Sequence, residues 1–303
     1  MDKNLSLIGI CSGWGASNMG TAYGPIRLCD YFQVDPPFPS DIKYEMRVLE
    51  FHDWENFNPF YTLSGEGKSI RLSKVIHAIS VTAQEVLTTL QSCKFPIVIG
   101  GDHSLAIGTW SAVRKWLKED FGLIWIDAHL DANTYETTPS NAVHGMPSAA
   151  LLGYGIPELT HFLESNPKIS PENIAFIGIR SYEEGEANLL NTLGVKIFDM
   201  DYVHKHSFAA AFEAAHQWVT RNTPFYGISL DIDSFDPLEA PGTGTPEAHG
   251  LKGNECLKTF QSKLFDPNLI AFEIMEFNPL LDPDKKTEKL IWNMMKQLSR
   301  RTS

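Results

Sequence analysis

The sequence predicts an α/β fold built on a parallel sheet, and three observations predict it. Short apolar runs rich in β-branched residues recur near residues 5, 46, 95, 121, 173, 194, 225 and 269, with the length and composition of buried strands. Segments with apolar residues at helical spacing separate most of them, as a doubly wound sheet requires. Three of the runs end in His or Asp, where a parallel sheet presents its loop edge. With 303 residues, 43% of them hydrophobic, the chain can bury a full core as one large domain or two smaller ones. No linker, repeat or low-complexity tract divides it, so one domain over residues 1–303 is expected.

Taken in order, residues 5–11 read as the first strand, and GWGASNMGTAYGP then supplies glycine punctuation before a helix opens near Pro25. That loop lacks the G-x-G-x-x-G spacing of a dinucleotide site, which leaves a substrate-side loop or a plain turn. Residues 46–51 form a short second strand and 52–67 a polar loop. Over 73–90, Val75, Ile76, Ile79, Ala83, Val86, Leu87 and Leu90 make one buried helical stripe; His77 on that helix has no evident partner. Residues 95–99 are a strand entering GGDHSLAIG, a glycine turn that opens a helix over 105–117. Helices are also expected over 209–219 and in the C-terminal segment ending LIWNMMKQL, which Asp282 caps.

The formal net charge of −12 and a pI near 5.3 argue against a nucleic-acid partner, because phosphate binding needs clustered Lys and Arg. They suit a cationic substrate as well as they suit an ordinary acidic surface. Cys11, Cys29, Cys93 and Cys256 are far apart, with no C-x-x-C pair, and read as reduced thiols. The N-terminal LSLIGIC is too short for a signal peptide and no apolar run reaches membrane-spanning length, so no membrane partner and a cytoplasmic location are expected.

The chemistry concentrates at strand ends. The run at 121–126 leads into Asp127, His129 and Asp131, and in extended chain a D-x-H-x-D spacing turns all three side chains to one face. Two uncompensated carboxylates there would repel, whereas a divalent cation turns the crowding into coordination. His103 follows the strand at 95–99, and Asp231, Asp233 and Asp236 follow the strand at 225–230. Any one of these could be a helix cap or turn former. Together they offer enough carboxylates and imidazoles for two cations with shared ligands, and oxygen-rich donors without thiolate favour manganese over structural zinc.

GGDHSLAIG at 100–108, DAHLDAN at 127–133, HGMP at 144–147, SLDIDSFDP at 229–237, GTGTP at 242–246 and EIMEFNP at 273–279 resemble the ureohydrolase family, and arginases most of all. The resemblance spans about residues 100–279 in family order; Gly24-Pro25 matches the early Gly-Pro, while GWGASNMGTAY is not typical. It implies a three-layer α/β/α fold around an eight-stranded parallel sheet and two manganese(II) ions. His103, Asp127, Asp131 and Asp231 would hold one ion, and Asp127, His129, Asp231 and Asp233 the other. It further implies a metal-bridging hydroxide attacking a guanidinium carbon, with Asp131 accepting a hydrogen bond from it and passing a proton to the leaving amine. His144 would shuttle protons and Glu276 would pair with the guanidinium, where the residues alone allow His144 a plain turn role.

Substrate choice rests on the next loops. Asn133, Thr138 and Ser140 fall where arginases place donors for an α-carboxylate, and Glu183 in GIRSYEEGE falls where they meet the α-amino group. Four departures stand out: Ala142 for a common Asn, Ser181 for a common Asp, Glu183 for the usual Asp, and His249 in HGL for GGL. Arg180 reads as an interface or ion-pair residue. The expectation is hydrolysis of L-arginine to L-ornithine and urea by a homo-oligomer, trimer or hexamer. The alternatives are another guanidino or formimino hydrolase (agmatinase, guanidinobutyrase, formimidoylglutamase), a zinc deacetylase of the same superfamily, or a non-catalytic metal-binding protein.

Overall fold

The computed structural model describes residues 4–40, 42–51, 68–264 and 266–298; the expected loop at 52–67 lies outside them. Eight strands form one sheet: β1 (Leu5–Cys11), β2 (Tyr44–Glu50), β3 (Phe95–Ile99), β4 (Gly122–Ile126), β5 (Ile174–Ile177), β6 (Lys196–Phe198), β7 (Tyr226–Asp231) and β8 (Leu269–Met275). Their spatial order is β2-β1-β3-β8-β7-β4-β5-β6, and every described pairing is parallel. β1 and β3 keep their expected bounds, and β2 begins two residues earlier than its apolar run because Tyr44 and Glu45 already pair with Leu5 and Ser6.

The helices are α1 (Gly24–Val34), α2 (Lys68–Gln91), α3 (Ala106–Leu117), α4 (Pro147–Leu151), α5 (Pro157–Thr160), α6 (Glu184–Leu193), α7 (Met200–His206), α8 (Phe208–Val219), α9 (Gly253–Lys263) and α10 (Lys286–Leu298). Pro25 opens α1 as expected, where its missing N–H costs nothing. Asp282 caps α10 from a distance, its carboxylate accepting the Thr287 and Glu288 N–H groups. Strand alternation sorts the core into two faces. Ile97, Ile99, Ile124, Ile126 and Ile228 pack against Leu28 of α1, Phe212 of α8, Phe260 of α9 and Met294 of α10. Val98, Leu123 and Trp125 pack against Val86 of α2, Trp110 and Val113 of α3, and Leu190 of α6. This is the expected three-layer α/β/α arrangement.

The register positions the site. β3, β8, β7 and β4 are the four central strands, and their carboxyl ends carry His103, Glu276, Asp231 and Asp127 respectively. Gly101 is required in the first of these turns: a Cβ there would lie 1.6 Å from the Ser12 carbonyl oxygen, so only glycine lets the β3 loop pass under the β1 loop.

Candidate metal centre and active site

Asp127 is the hub. It is fully buried and its two oxygens face different imidazoles: Oδ2 lies 3.3 Å from His103 Nδ1 and Oδ1 lies 3.6 Å from His129 Nδ1. His103 Nδ1 also faces Asp231 at 2.9 Å and Asp131 at 3.1 Å, and His129 Nδ1 faces Asp233 at 3.1 Å. Two groups able to hold a cation result, His103–Asp127–Asp231 and Asp127–His129–Asp233, joined through Asp127. The D-x-H-x-D segment departs from a continuous strand. β4 ends at Ile126, and Asp131 takes a positive φ of 50°, a strained conformation for a residue with a Cβ that turns its carboxylate back toward His103.

The electrostatics favour an added cation. Burial, then Asp127, pushes Asp131 up to about 6; burial, then Asp233 and Asp127, holds Asp231 well above the usual carboxylate range. Asp233 is raised by burial, with Asp127 adding to it and His129 opposing. Burial opposes ionisation of Asp127 too, but His103 and His129 override it and lower its pKa. Four buried carboxylates share two imidazoles, leaving negative charge that divalent cations would neutralise while accepting their lone pairs. The donors are oxygens and imidazole nitrogens without thiolate, and Cys11 and Cys256 are free buried thiols. The donor set fits a pair of hard-to-borderline ions.

His129, Asp131, Asp231 and Asp233 of the cluster line a cavity of about 260 Å³ together with His144 and the predicted substrate-end residues Asn133, Thr138, Ser140 and Glu183. Asn133 Nδ2 donates to Glu183 at 2.8 Å, and Thr138 Oγ1 lies 3.4 Å from Ser140 Oγ. His144 Nδ1 lies 3.0 Å from Glu276 Oε1; burial opposes its charged form, but Glu276 raises its pKa. Glu276 itself, at φ 65°, is only 2% exposed and also accepts the His103 backbone N–H at 2.8 Å. It sits behind His144 rather than on the cavity wall described by these residues. Asp236 stands apart, 3.5 Å from Lys252. A larger cavity of about 470 Å³ beside α1 includes Arg27, Asp282 and Glu288 in its lining, but Arg27 is ion-paired to Glu288 and Asp282 caps α10.

Several contributors escaped the sequence reading. Arg180 donates to the carbonyls of Gly178, Asp233, Ser234, Phe235, Glu247 and Ala248, tying the β7 loop down. Thr245 of GTGTP donates to Asp233 at 2.8 Å. Trp125 Nε1 donates to Asp127 at 2.9 Å and its ring stacks on His103 at 4.4 Å. Glu186 accepts the Ala132 and Glu183 N–H groups. The glycine loop reaches the cavity, since Ser17 lines it and His144 N–H donates to the Gly15 carbonyl. His77 is exposed, edge-on to Phe51. Two departures acquire a local context. Ser181 donates to Glu247, and His249 sits at φ 62°, where glycine would be unstrained.

The arginase family profile matches residues 3–299. Arginase of Bacillus caldovelox is 39% identical over 298 residues, 98% of each chain, and arginase of Brevibacillus brevis is 34% identical over 300 residues, 97% of each. The crystal structure of arginase from Bacillus subtilis superposes with a TM-score of 0.85 at 30% identity, covering 98% of both chains. A shared Asp127 between two His–carboxylate groups, on a sheet common to those enzymes and over matched length, leaves one assignment: this chain belongs to the arginase family.

Proposed function

We propose that the protein hydrolyses the guanidino group of L-arginine to L-ornithine and urea, acting as a single domain over residues 1–303. The supporting observation is the shared Asp127 between two metal-competent groups whose His129, Asp231 and Asp233 line a cavity with Asn133, Thr138, Ser140 and Glu183. Two manganese(II) ions suit the donor set: His103, Asp127, Asp131 and Asp231 would hold one, and Asp127, His129, Asp231 and Asp233 the other. Bound there, divalent ions lower the pKa of water and so supply a nucleophile at neutral pH.

The chain's own residues orient the rest. Asp131 accepts a hydrogen bond from the nucleophile and returns a proton to the leaving nitrogen as the C–N bond breaks, giving urea and the amine. His144, paired with Glu276, carries protons between cavity and solvent. Glu276 is the carboxylate assigned to the planar guanidinium, since bidentate carboxylate pairing selects that group. Asn133, Thr138 and Ser140 offer hydroxyl and amide groups to an α-carboxylate, and Glu183 offers a negative charge to an α-ammonium.

Urea release by the manganese-loaded protein with L-arginine, agmatine and 4-guanidinobutyrate, measured side by side, tests this reading. Preference for arginine is expected. Preference for a guanidine lacking the carboxylate or the amine would keep the metal chemistry and overturn the substrate, the outcome to which Ala142, Ser181 and Glu183 lend weight; silence on all three would overturn the activity. The enzyme is expected to assemble as a homo-oligomer, trimer or hexamer, and to work in the cytoplasm. Sedimentation showing monomer alone contradicts the assembly.

A further inference from the structure

Glu273 is a fully buried carboxyl in the middle of β8 that the proposed mechanism does not use. It faces the core side of the sheet, where a leucine would be the ordinary choice, and an unpaired polar group there is costly. The parallel register places it directly beside Ser229 of β7, and Ser229 Oγ donates to Glu273 Oε1 at 2.7 Å. Trp110 Nε1 of α3 donates to the same oxygen at 2.6 Å. The indole reaches it because residue 227 is glycine, where a Cβ would lie 2.0 Å from the ring. On its other side Ser229 Oγ is 2.8 Å from His103 Nε2.

The Trp110 bond orients the others. An indole N–H can only donate, so Oε1 must be an acceptor, and a carboxyl oxygen carrying its own proton is a poor one. The Ser229 hydroxyl proton is therefore given to Glu273. Ser229 has no second proton, so toward His103 it must accept, and the His103 proton sits on Nε2. In the neutral imidazole that leaves Nδ1, the nitrogen facing Asp127, Asp131 and Asp231, to offer its lone pair to a cation. His129 has no equivalent arrangement: its Nε2 faces Glu247 at 3.8 Å, beyond hydrogen-bond range.

We propose that Glu273, fixed by Trp110, is a positioning residue that sets the tautomer of His103 through Ser229 and thereby the affinity of the His103 metal subsite. The proposal rests on the binuclear reading above. Outer partners of this kind change metal affinity by about 10–100-fold.

Manganese titration of the full-length protein against a competing chelator tests it. Wild type is expected to take up two equivalents. In Glu273→Leu one equivalent should weaken about 10–100-fold while the other keeps its affinity. Glu273→Gln, whose amide oxygen can serve both donors, should recover most of the loss. In a Ser229→Ala background Glu273→Leu should add no further loss, because the relay is already cut. With histidine-labelled, zinc-loaded protein, nitrogen NMR should show His103 protonated on Nε2 in wild type and not uniformly so in Glu273→Leu. If leucine at 273 prevents folding, Trp110→Phe reads the same subsite and should weaken it alone. Equal weakening of both equivalents, or of neither, overturns the proposal; fewer than two equivalents in wild type overturns instead the binuclear reading beneath it.

Discussion

His129 and Asp233 face each other at 3.1 Å, and neither belongs to the His103 group. Replacing His129 with Ala should therefore remove one metal equivalent and most turnover while the chain stays folded, since the imidazole is not fully enclosed. Metal analysis with circular dichroism checks this, and full retained activity would sink the ligand role. Glu186 gives a separate prediction. Burial, then its hydrogen bond with Glu183, raises its carboxyl to about 8, so the folded chain keeps a proton that the unfolded chain releases near 4.5. The stabilisation from that proton is complete below about pH 4.5 and drains away as pH rises toward 8. Melting of metal-free Glu186→Gln should accordingly fall less between pH 5 and 8 than melting of wild type. The ligands themselves were legible as residues, because His and Asp directly after apolar strands are hard to explain by capping alone. Arg180 was not, because a guanidinium satisfied by six carbonyls leaves no mark in spacing.

At the scale of elements, the site depends on turns that tolerate no side chain. Gly101→Ala would drive a methyl into the Ser12 carbonyl, and neither backbone can yield without moving His103. Loss of several kcal/mol is expected, at the upper end of single substitutions, together with weakened uptake at the His103 subsite; denaturant unfolding with and without manganese checks both. β1 and β3 were readable to the residue because a fully buried parallel strand is a continuous apolar run. α6, α7 and α9 leave a weaker mark in the sequence. The reason is visible in α9, where Cys256, Thr259 and Phe260 make a short buried stripe between polar residues, a pattern weaker than the long one on α2. α6 begins with a capping box between Glu183 and Glu186, so Glu183, read as a substrate contact, also starts a helix.

For the whole molecule, the metal-free centre is a concentration of like charge inside the sheet's central edge. Binding manganese should raise the melting temperature and a chelator should reverse it; each site stabilises by about 3 kcal/mol at a hundredfold excess over its dissociation constant. Calorimetry checks the sign, and a single transition would support one domain. No helix among the described residues is long and apolar enough to cross a membrane.

The order of strands, helices and acid-bearing turns was set by the sequence alone, since hydrophobic period and the chemistry of His and Asp are local properties. Sequence was also enough to gather the ligand types, because each motif follows its own strand. Tertiary structure alone decided which carboxylate oxygen meets which imidazole, that Glu276 lies behind His144, and that Glu273 reaches His103 through Ser229. Those relations join β3, β4, β7 and β8 across strand neighbours that are far apart in the chain, and only the parallel register brings them within hydrogen-bond distance.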